Sequence, residues 1–303
     1  MANVLLTGGS GLIGKHLCQK LQEKGYDVAI LSREKKQQSK IQVFTWDIVN
    51  KTIEKEAIEF ADYIVHLAGE NIGEKRWTAQ RKQQIIDSRV QTAELIYHQV
   101  KEQNKNLKAI ISASAVGYYG AVTTDHIFTE TDPAASDFLG KTCSQWEQSV
   151  NIFQELGIRT VNIRTAVVLS RQGGALSRLT ALIKTGLGSA LGTGKQYMPW
   201  IHMDDLCNIY IKAIEDSQMK GPYNAVAPEH QTNKEFSKSI ARVLRKPFWF
   251  PNVPSFVLQL MFGKMSGMLL QGSRVTSEKI RMAGYSFLFP TLKGALSDLI
   301  GKK

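Results

Sequence analysis

The stretch Thr7-Gly8-Gly9-Ser10-Gly11-Leu12-Ile13-Gly14 restricts this chain more than any other. It lies between a short apolar run, Asn3–Thr7, and a segment with helical apolar spacing at Ile13, Leu17 and Leu21. A strand that turns at once into a helix needs glycine where the backbone folds back on itself. In a Gly-x-x-Gly-x-x-Gly loop the first glycine permits the tight turn, the second lets main chain approach a pyrophosphate, and the third lets helix and sheet pack closely. The free N–H groups of the first helical turn then favour a bound phosphate. Gly8, Ser10, Gly11, Leu12, Ile13 and Gly14 are the expected phosphate cradle.

The first 115 residues continue as short apolar runs alternating with amphipathic segments. Strands are expected at 27–32, 41–46, 63–68 and 107–113, and a long helix over 78–102. This pattern predicts βαβ units and an α/β fold, a Rossmann-like doubly wound parallel sheet. Beyond it, a helix is expected over 138–157, one strand over 158–169 and a helix over 204–217. After Pro222 the chain turns basic and is broken by Pro247, Pro251 and Pro254. Residues 1–170 are read as the dinucleotide-binding domain, with some sheet contributed from 171–230. Residues 171–303 are read as a smaller, mainly helical substrate domain that includes a module over 250–300.

The end of the second strand bears on which dinucleotide binds. A site for NAD usually carries an acid there for the ribose hydroxyls. Here the chain reads Leu31-Ser32-Arg33-Glu34-Lys35-Lys36. Arg33 can stack on adenine and pair with a 2′-phosphate, and Ser32 can donate to it, so NADP(H) is expected over NAD(H). The competing view makes Arg33, Lys35 and Lys36 a solvated turn. Asp47 is either a partner for the adenine amine or a turn aspartate. Leu67, Ala68 and Gly69 end the fourth strand with small residues, and main-chain contacts to the adenosine half are expected there.

Composition excludes several classes. At 43% hydrophobic and 21% charged over 303 residues, the chain can bury a core without disulfides or structural metal. Cys18, Cys143 and Cys207 are scattered and form no CxxC, so a reduced, cytoplasmic setting is expected. There is no basic leader before an apolar stretch, and the apolar segment 253–263 is too short to span a membrane. The six histidines show no metal spacing. Residues 231–303 hold twelve Lys/Arg and three Asp/Glu, against 26 and 24 in the rest. A basic surface for nucleic acid or anionic lipid is one reading. A solvated face is the preferred one, so neither a nucleic-acid nor a membrane partner is expected. The oligomeric state stays open.

TGGSGLIG, LSR, HLAG and SASAVGYYG, in that order, resemble the extended short-chain dehydrogenase/reductase superfamily of nucleotide-sugar epimerases and dehydratases. The chain is most similar to an atypical branch, the epimerase family proteins. The marks are His66–Gly73, Arg76-Trp77, Ser88-Arg89, Pro199–Asp205 and a C-terminal stretch from Asn252. The resemblance spans essentially the whole chain. It implies NADP binding, a small-molecule substrate and no settled reaction. It also implies that Arg89 reaches the cofactor from the long helix, and that Val168 meets the nicotinamide end through its main chain.

The same resemblance exposes a gap. Usual members pair a Ser or Thr after the fifth strand with Tyr-x-x-x-Lys on the next helix, the tyrosine exchanging a proton and the lysine lowering its pKa. Ser114 supplies the first. Aligned through Glu147, the tyrosine and lysine positions hold Leu139 and Cys143. Tyr97 and Lys101 match the spacing but sit on the long surface helix, and are read as chance. Tyr118, Tyr119 or Lys141 could supply the proton, with Ser114 polarising the substrate oxygen. Alternatively the chain has kept NADP(H) binding as a non-catalytic sensor. Asp204 and Asp205 are expected to cap a helix, with a place at the substrate as the alternative. Arg76, Trp77 and Lys82 line a pocket or begin a solvated helix.

Overall fold

A computed structural model describes residues 2–35 and 41–301. Lys36, one of the basic residues after the second strand, lies outside the described residues. The elements follow in chain order: β1 Asn3–Thr7, α1 Leu12–Glu23, β2 Asp27–Ser32, β3 Gln42–Asp47, β4 Thr52–Ile53, α2 Lys55–Phe60, β5 Tyr63–His66, α3 Ala79–Glu102 and β6 Ala109–Ala115. Next come β7 Ile127–Phe128, α4 Phe138–Asn151, β8 Arg159–Thr165, β9 Val167–Leu169, α5 Gly174–Lys184, β10 Trp200–His202, α6 Met203–Glu215 and β11 Gly221–Ala225. The C-terminal part adds α7 Asn233–Val243, α8 Ser255–Phe262, α9 Gly267–Leu270, β12 Arg274–Val275, α10 Glu278–Met282 and α11 Leu292–Ile300.

The main sheet has eight strands in the order β11-β8-β6-β5-β1-β2-β3-β4. Every pairing is parallel except β3 with β4. Because the strand order reverses between β1 and β5, the crevice at their carboxyl ends is the place where α/β sheets bind ligands. Both faces are covered. Leu17 and Leu21 of α1 and Leu206 and Ile209 of α6 share one core with Val4, Leu6 and Ile111. Ile96 of α3 and Trp146 of α4 share the other with Leu5, Ile64 and Ile110. This two-sided burial explains why the strands read as continuous apolar runs rather than alternating ones. A third core joins Leu176, Trp200, Phe236 and Leu296 from α5, β10, α7 and α11.

β11 comes from beyond residue 170 and completes the main sheet, while β7 pairs with β12 of the C-terminal part. The two halves are thus laced together.

Four expectations change. The strand expected over 158–169 is two. β8 stays in the main sheet, whereas β9 leaves it at Ala166 to pair with β10. The break follows hydrogen bonding: Ala166 N–H goes to Ala225 and Val167 N–H to Pro199. The fifth strand runs to Ala115, so Ser114 lies within it. The helix over 138–157 ends at Asn151, and a 3₁₀ turn leads to Gly157 at φ +71°. Asp204 and Asp205 do not cap α6. The His202 side chain does, accepting the N–H of Asp204 at 3.1 Å.

Candidate functional site

The glycine loop closes on itself. Gly11 N–H donates to the Gly8 carbonyl at 2.9 Å, and Gly8 has φ +67°. A Cβ on Gly8 would lie 2.9 Å from the Leu67 carbonyl, and one on Gly14 would lie 2.3 Å from the carbonyl of Gly8. Gly14 therefore packs against the loop's own main chain rather than the sheet. α1 starts after Gly11, which offers no side-chain cap, and has no acid in its first turn. Its first N–H groups lack partners within the helix and carry its positive dipole end. Ser10 and Gly11 are exposed beside them, and Leu12 and Ile13 are half-buried.

Thr7 ties this loop to the end of β5. Its hydroxyl accepts the N–H of Leu67 at 3.1 Å and of Ala68 at 3.0 Å, and lies 2.9 Å from His66 Nδ1. With those two amides received, the hydroxyl proton goes to Nδ1. His66 is then neutral with its proton on Nε2, facing Thr92 and the Arg89 carbonyl. Burial pushes its pKa down to about 4. The amides of Leu67 and Ala68 are committed inside, which leaves their carbonyls as the main-chain groups free to face a ligand. Gly69 packs against Arg89, since a Cβ there would lie 2.9 Å from the guanidinium carbon. Arg89 donates to the carbonyls of Ile85 and Glu70 and lies over the Trp146 ring. Burial lowers its pKa to about 10.

Leu12 of α1 packs beside Gly173 and Gly174 where α5 begins, close to the Val168 carbonyl. Gly8, Leu12, Gly69, Arg89 and Val168 are thereby gathered along one edge of the sheet. Val168 faces Ile201 across the β9–β10 ladder. At the end of β2, Ser32 is half-buried and Arg33 exposed. Arg33 lines an open cleft of about 470 Å³ with Thr45, Trp46, Asp47, Thr52, Ile53 and Glu54. Asp47 takes the N–H groups of Val49 and Asn50, which hold its carboxyl below the ordinary range. It is a turn aspartate.

The expected catalytic group resolves differently. Ser114, 3% exposed, donates to Glu147 Oε1 at 2.7 Å. Arg164 meets the same carboxylate bidentately, Nε to Oε1 and Nη2 to Oε2, both at 2.8 Å. Arg164 Nη1 also donates to the Tyr119 hydroxyl, which donates to Asn224 Oδ1 at 2.7 Å. Tyr119 is 1% exposed, and burial pushes its phenol well above its ordinary pKa. Tyr119 is thus buried between Arg164 and Asn224, and the Ser114 proton is directed at Glu147 rather than outward. Tyr118 remains half-buried with its ring under the Arg164 guanidinium at 3.4 Å, and its hydroxyl has no partner among the described residues.

Leu139 and Cys143 both approach Gly117, next to Tyr118. Burial raises the Cys143 pKa to about 12, so it stays a thiol. Lys141 lies exposed on α4. Tyr97 is buried on α3 and donates to Glu155, as a chance match to the Tyr-x-x-x-Lys spacing would.

Arg76 does not open into a pocket. It holds the carbonyls of Leu260 and Met261. Trp77 donates to Ile72 and packs on Phe138, with Lys82 over the same ring. Neither Glu147 nor Arg164 belongs to a motif that marks a site in the sequence. The available signal was an acid one helical turn after Cys143, on a face otherwise buried.

The fold and the glycine loop at its switch point define a dinucleotide-binding α/β protein. Residues 4–226 match the NAD dependent epimerase/dehydratase family, and the chain belongs to that family. Residues 253–299 match a domain of unknown function. The chain is 36% identical over 305 residues to the epimerase family protein YfhF of Bacillus subtilis, covering 99% of each. It is 33% identical to an epimerase family protein of Staphylococcus aureus, covering all of both chains. Among solved structures, the human epimerase family protein SDR39U1 with NADPH matches at TM-score 0.88 and 32% identity, over 98% of each chain. UDP-N-acetylglucosamine 4-epimerase from Bacillus cereus shares the fold at TM-score 0.77 and 16% identity, over 99% of this chain and 98% of that one. Among the described residues no helix is long and apolar enough to cross a membrane, and no cluster of His, Cys, Asp and Glu could hold a metal.

Proposed function

We propose that this chain binds NADP(H) along the carboxyl edge of its main sheet and acts as an epimerase-family oxidoreductase on a carbonyl or nucleotide-sugar-like substrate. The uncapped start of α1, held against β5 at the switch point, carries the reading. The cradle fits a pyrophosphate because a side chain at Gly8 or Gly14 would collide with main chain, while Gly11 and the N–H groups beside it stay open. Main chain at Gly8, Ser10, Gly11, Leu12, Ile13 and Gly14 holds the diphosphate. Ser32 and Arg33 hold the 2′-phosphate, with no acid at either position to repel it. Gly69 and the carbonyls of Leu67 and Ala68 border the adenosine half, Arg89 the ribose side, and Val168 the nicotinamide end. The human relative solved with NADPH supports the phosphate preference.

Bound nicotinamide would supply a hydride acceptor or donor; this chain's part is to hold, orient and move a proton. Ser114 and Tyr119 are spent on Glu147 and Asn224, so Tyr118 is the hydroxyl left to exchange a proton with a substrate oxygen. Ser114, fixed by Glu147, positions the turn that carries it.

Leu139 and Cys143, standing where the family's proton-handling pair is expected, favour a second reading: an NADP(H) sensor without turnover. Calorimetry with NADPH and NADH, followed by loss of NADPH absorbance across carbonyls and nucleotide sugars, separates the two. Turnover that Tyr118→Phe abolishes supports the enzyme. Tight NADPH binding without turnover on any compound supports the sensor. No heat with either nucleotide on folded protein overturns both.

A further inference from the structure

α8 is fixed from behind and bare in front. Behind it, Val253 N–H donates to Ala190, Gly192 N–H to Val253, and Arg76 holds the carbonyls at the helix end. Leu258 points inward and is buried. On the outward side Phe256 and Leu260, one turn apart, are 69% and 78% exposed, with Met261 beside them. Trp249, just before the helix, is 71% exposed. Leu182 and Leu187 at the end of α5 extend this apolar surface, because Phe248 packs at Gly188. Soluble surfaces scatter such residues singly, and a concentration of them marks a contact surface.

Charge says what the contact is. Residues 236–277 contain six Lys/Arg and no Asp or Glu. Lys184, Arg245, Lys246 and Lys264 lie within four residues of an exposed apolar side chain in the sequence, are exposed, and have no ion pair among the described residues. A second copy of the chain would set this basic surface against itself, which like-charge repulsion opposes. A peptide-binding groove would cover the side chains that line it, whereas these stand out from the surface. Protruding Trp, Phe, Leu and Met with exposed Lys and Arg beside them in the chain match a surface that enters the headgroup region of an anionic bilayer.

We propose that the α8 face, with Trp249 and the end of α5, is a peripheral docking surface for anionic lipid bilayers. It would hold the cofactor domain at a membrane without spanning it.

The test is co-sedimentation of the full chain with phosphatidylglycerol/phosphatidylcholine vesicles and with phosphatidylcholine vesicles alone. Binding to the anionic vesicles only, weakened by salt, is expected. Phe256→Ser with Leu260→Ser should lower the partition about tenfold or more, since two buried apolar side chains are lost. Lys246→Glu with Lys264→Glu should do so at low salt but not add to the effect of high salt. Trp249 fluorescence should shift to the blue on vesicles, and Trp249→Phe should remove the shift. Unchanged NADPH binding and melting temperature show that the variants are folded. The proposal is overturned by absence of binding to anionic vesicles, or by binding that the apolar variants leave intact. It is also overturned if light scattering shows a dimer that those variants dissociate, or if an acidic peptide is captured while vesicles are not.

Discussion

Ser114 donates its hydroxyl to Glu147 at 2.7 Å, and that carboxylate already faces the Arg164 guanidinium through two hydrogen bonds of 2.8 Å. The serine expected to polarise a substrate is thus one arm of a buried ion pair, with Arg164 and Glu147 side chains only 3% and 8% exposed. Removing one partner of such a pair strands the other charge. Glu147→Gln should lower stability by about 3–5 kcal/mol, read from urea unfolding. Ser114→Ala removes one hydrogen bond to a charge and should cost about 1–3 kcal/mol. NADPH affinity should change little in Ser114→Ala, because the diphosphate cradle lies on β1 and α1. A Glu147→Gln protein as stable as the parent would mean the pair contributes nothing.

His66 gives a pH dependence with a definite sign. Its pKa is about 4 in the folded chain, set by burial, against the ordinary 6.5. Between those values the unfolded chain binds a proton that the folded chain does not, so stability rises with pH across the window. The contribution is complete above about pH 6.5 and lost as pH falls toward about 4, amounting to roughly 3 kcal/mol. Urea titrations from pH 7 to pH 4 should show the loss. Heteronuclear NMR of the His66 ring should show it neutral across most of that range. A ring that titrates near 6.5 would defeat the prediction.

How far the sequence revealed this molecule follows from the range of the interactions. Strands β1, β2, β3, β5 and β6 and helices α1 and α3 were legible because glycine punctuation and apolar runs are local signals; the short β4 and α2 between them carry no such signal. The Ser114–Glu147–Arg164 group was not legible, because its members come from β6, α4 and β8 and no spacing links them. The division of the sixth strand at Ala166 was hidden inside a segment rich in β-branched residues from 158 to 169; the Ala225 and Pro199 carbonyls decide it. Asp204 looked like a helix cap. Its partners are instead His16 at 2.7 Å and Lys20 at 2.9 Å on α1, a tertiary contact. The outward face of α8 was missed because apolar residues are normally taken to be buried.

The glycines of the loop should separate folding from binding. A Cβ at Gly14 would lie 2.3 Å from the Gly8 carbonyl and 2.7 Å from Gly9 Cα, both rigid main chain. Gly14→Ala should therefore cost about 3 kcal/mol or more, the upper end of overpacking. At Gly11 the backbone is extended, φ −74°, and the nearest atom would be 3.2 Å away. Gly11→Ala should stay within about 1 kcal/mol of the parent in stability but lose affinity for NADPH. Equal stability losses in the two variants would refute the division of roles.

Arg33 stands exposed beside an open cleft and forms no ion pair among the described residues. A free guanidinium there can give charge-assisted hydrogen bonds to a phosphate, worth about 1.5–3 kcal/mol. Arg33→Asp should weaken NADPH binding by about ten- to a hundredfold while affecting NADH much less, so the gap between them narrows. Calorimetry with both nucleotides measures it. NADPH affinity unchanged in Arg33→Asp would remove Arg33 from the phosphate site.

Asp205 fastens the C-terminal part to α6. Fully buried, it accepts the Tyr285 hydroxyl at 2.7 Å and the N–H groups of Leu288 at 2.8 Å and Phe289 at 3.0 Å. The Tyr285 N–H goes back to Ile280 of α10, but the N–H groups of Leu288 and Phe289 have no other acceptor among the described residues, so this carboxylate is what satisfies them. In Asp205→Ala three donors lose their acceptor, each costing about 1–3 kcal/mol where it stays buried. The expected result is a loss of about 3 kcal/mol or more in urea unfolding, with new proteolytic cleavage near residue 285. Asp205→Asn keeps one oxygen, which can still accept the Tyr285 hydroxyl and the Leu288 N–H but leaves the Phe289 N–H facing an amide NH2, and should recover only part of the loss. If Asp205→Ala is cut no faster than the parent, the segment is held by the Phe289–His202 stacking, at 3.9 Å between rings, rather than by the carboxylate.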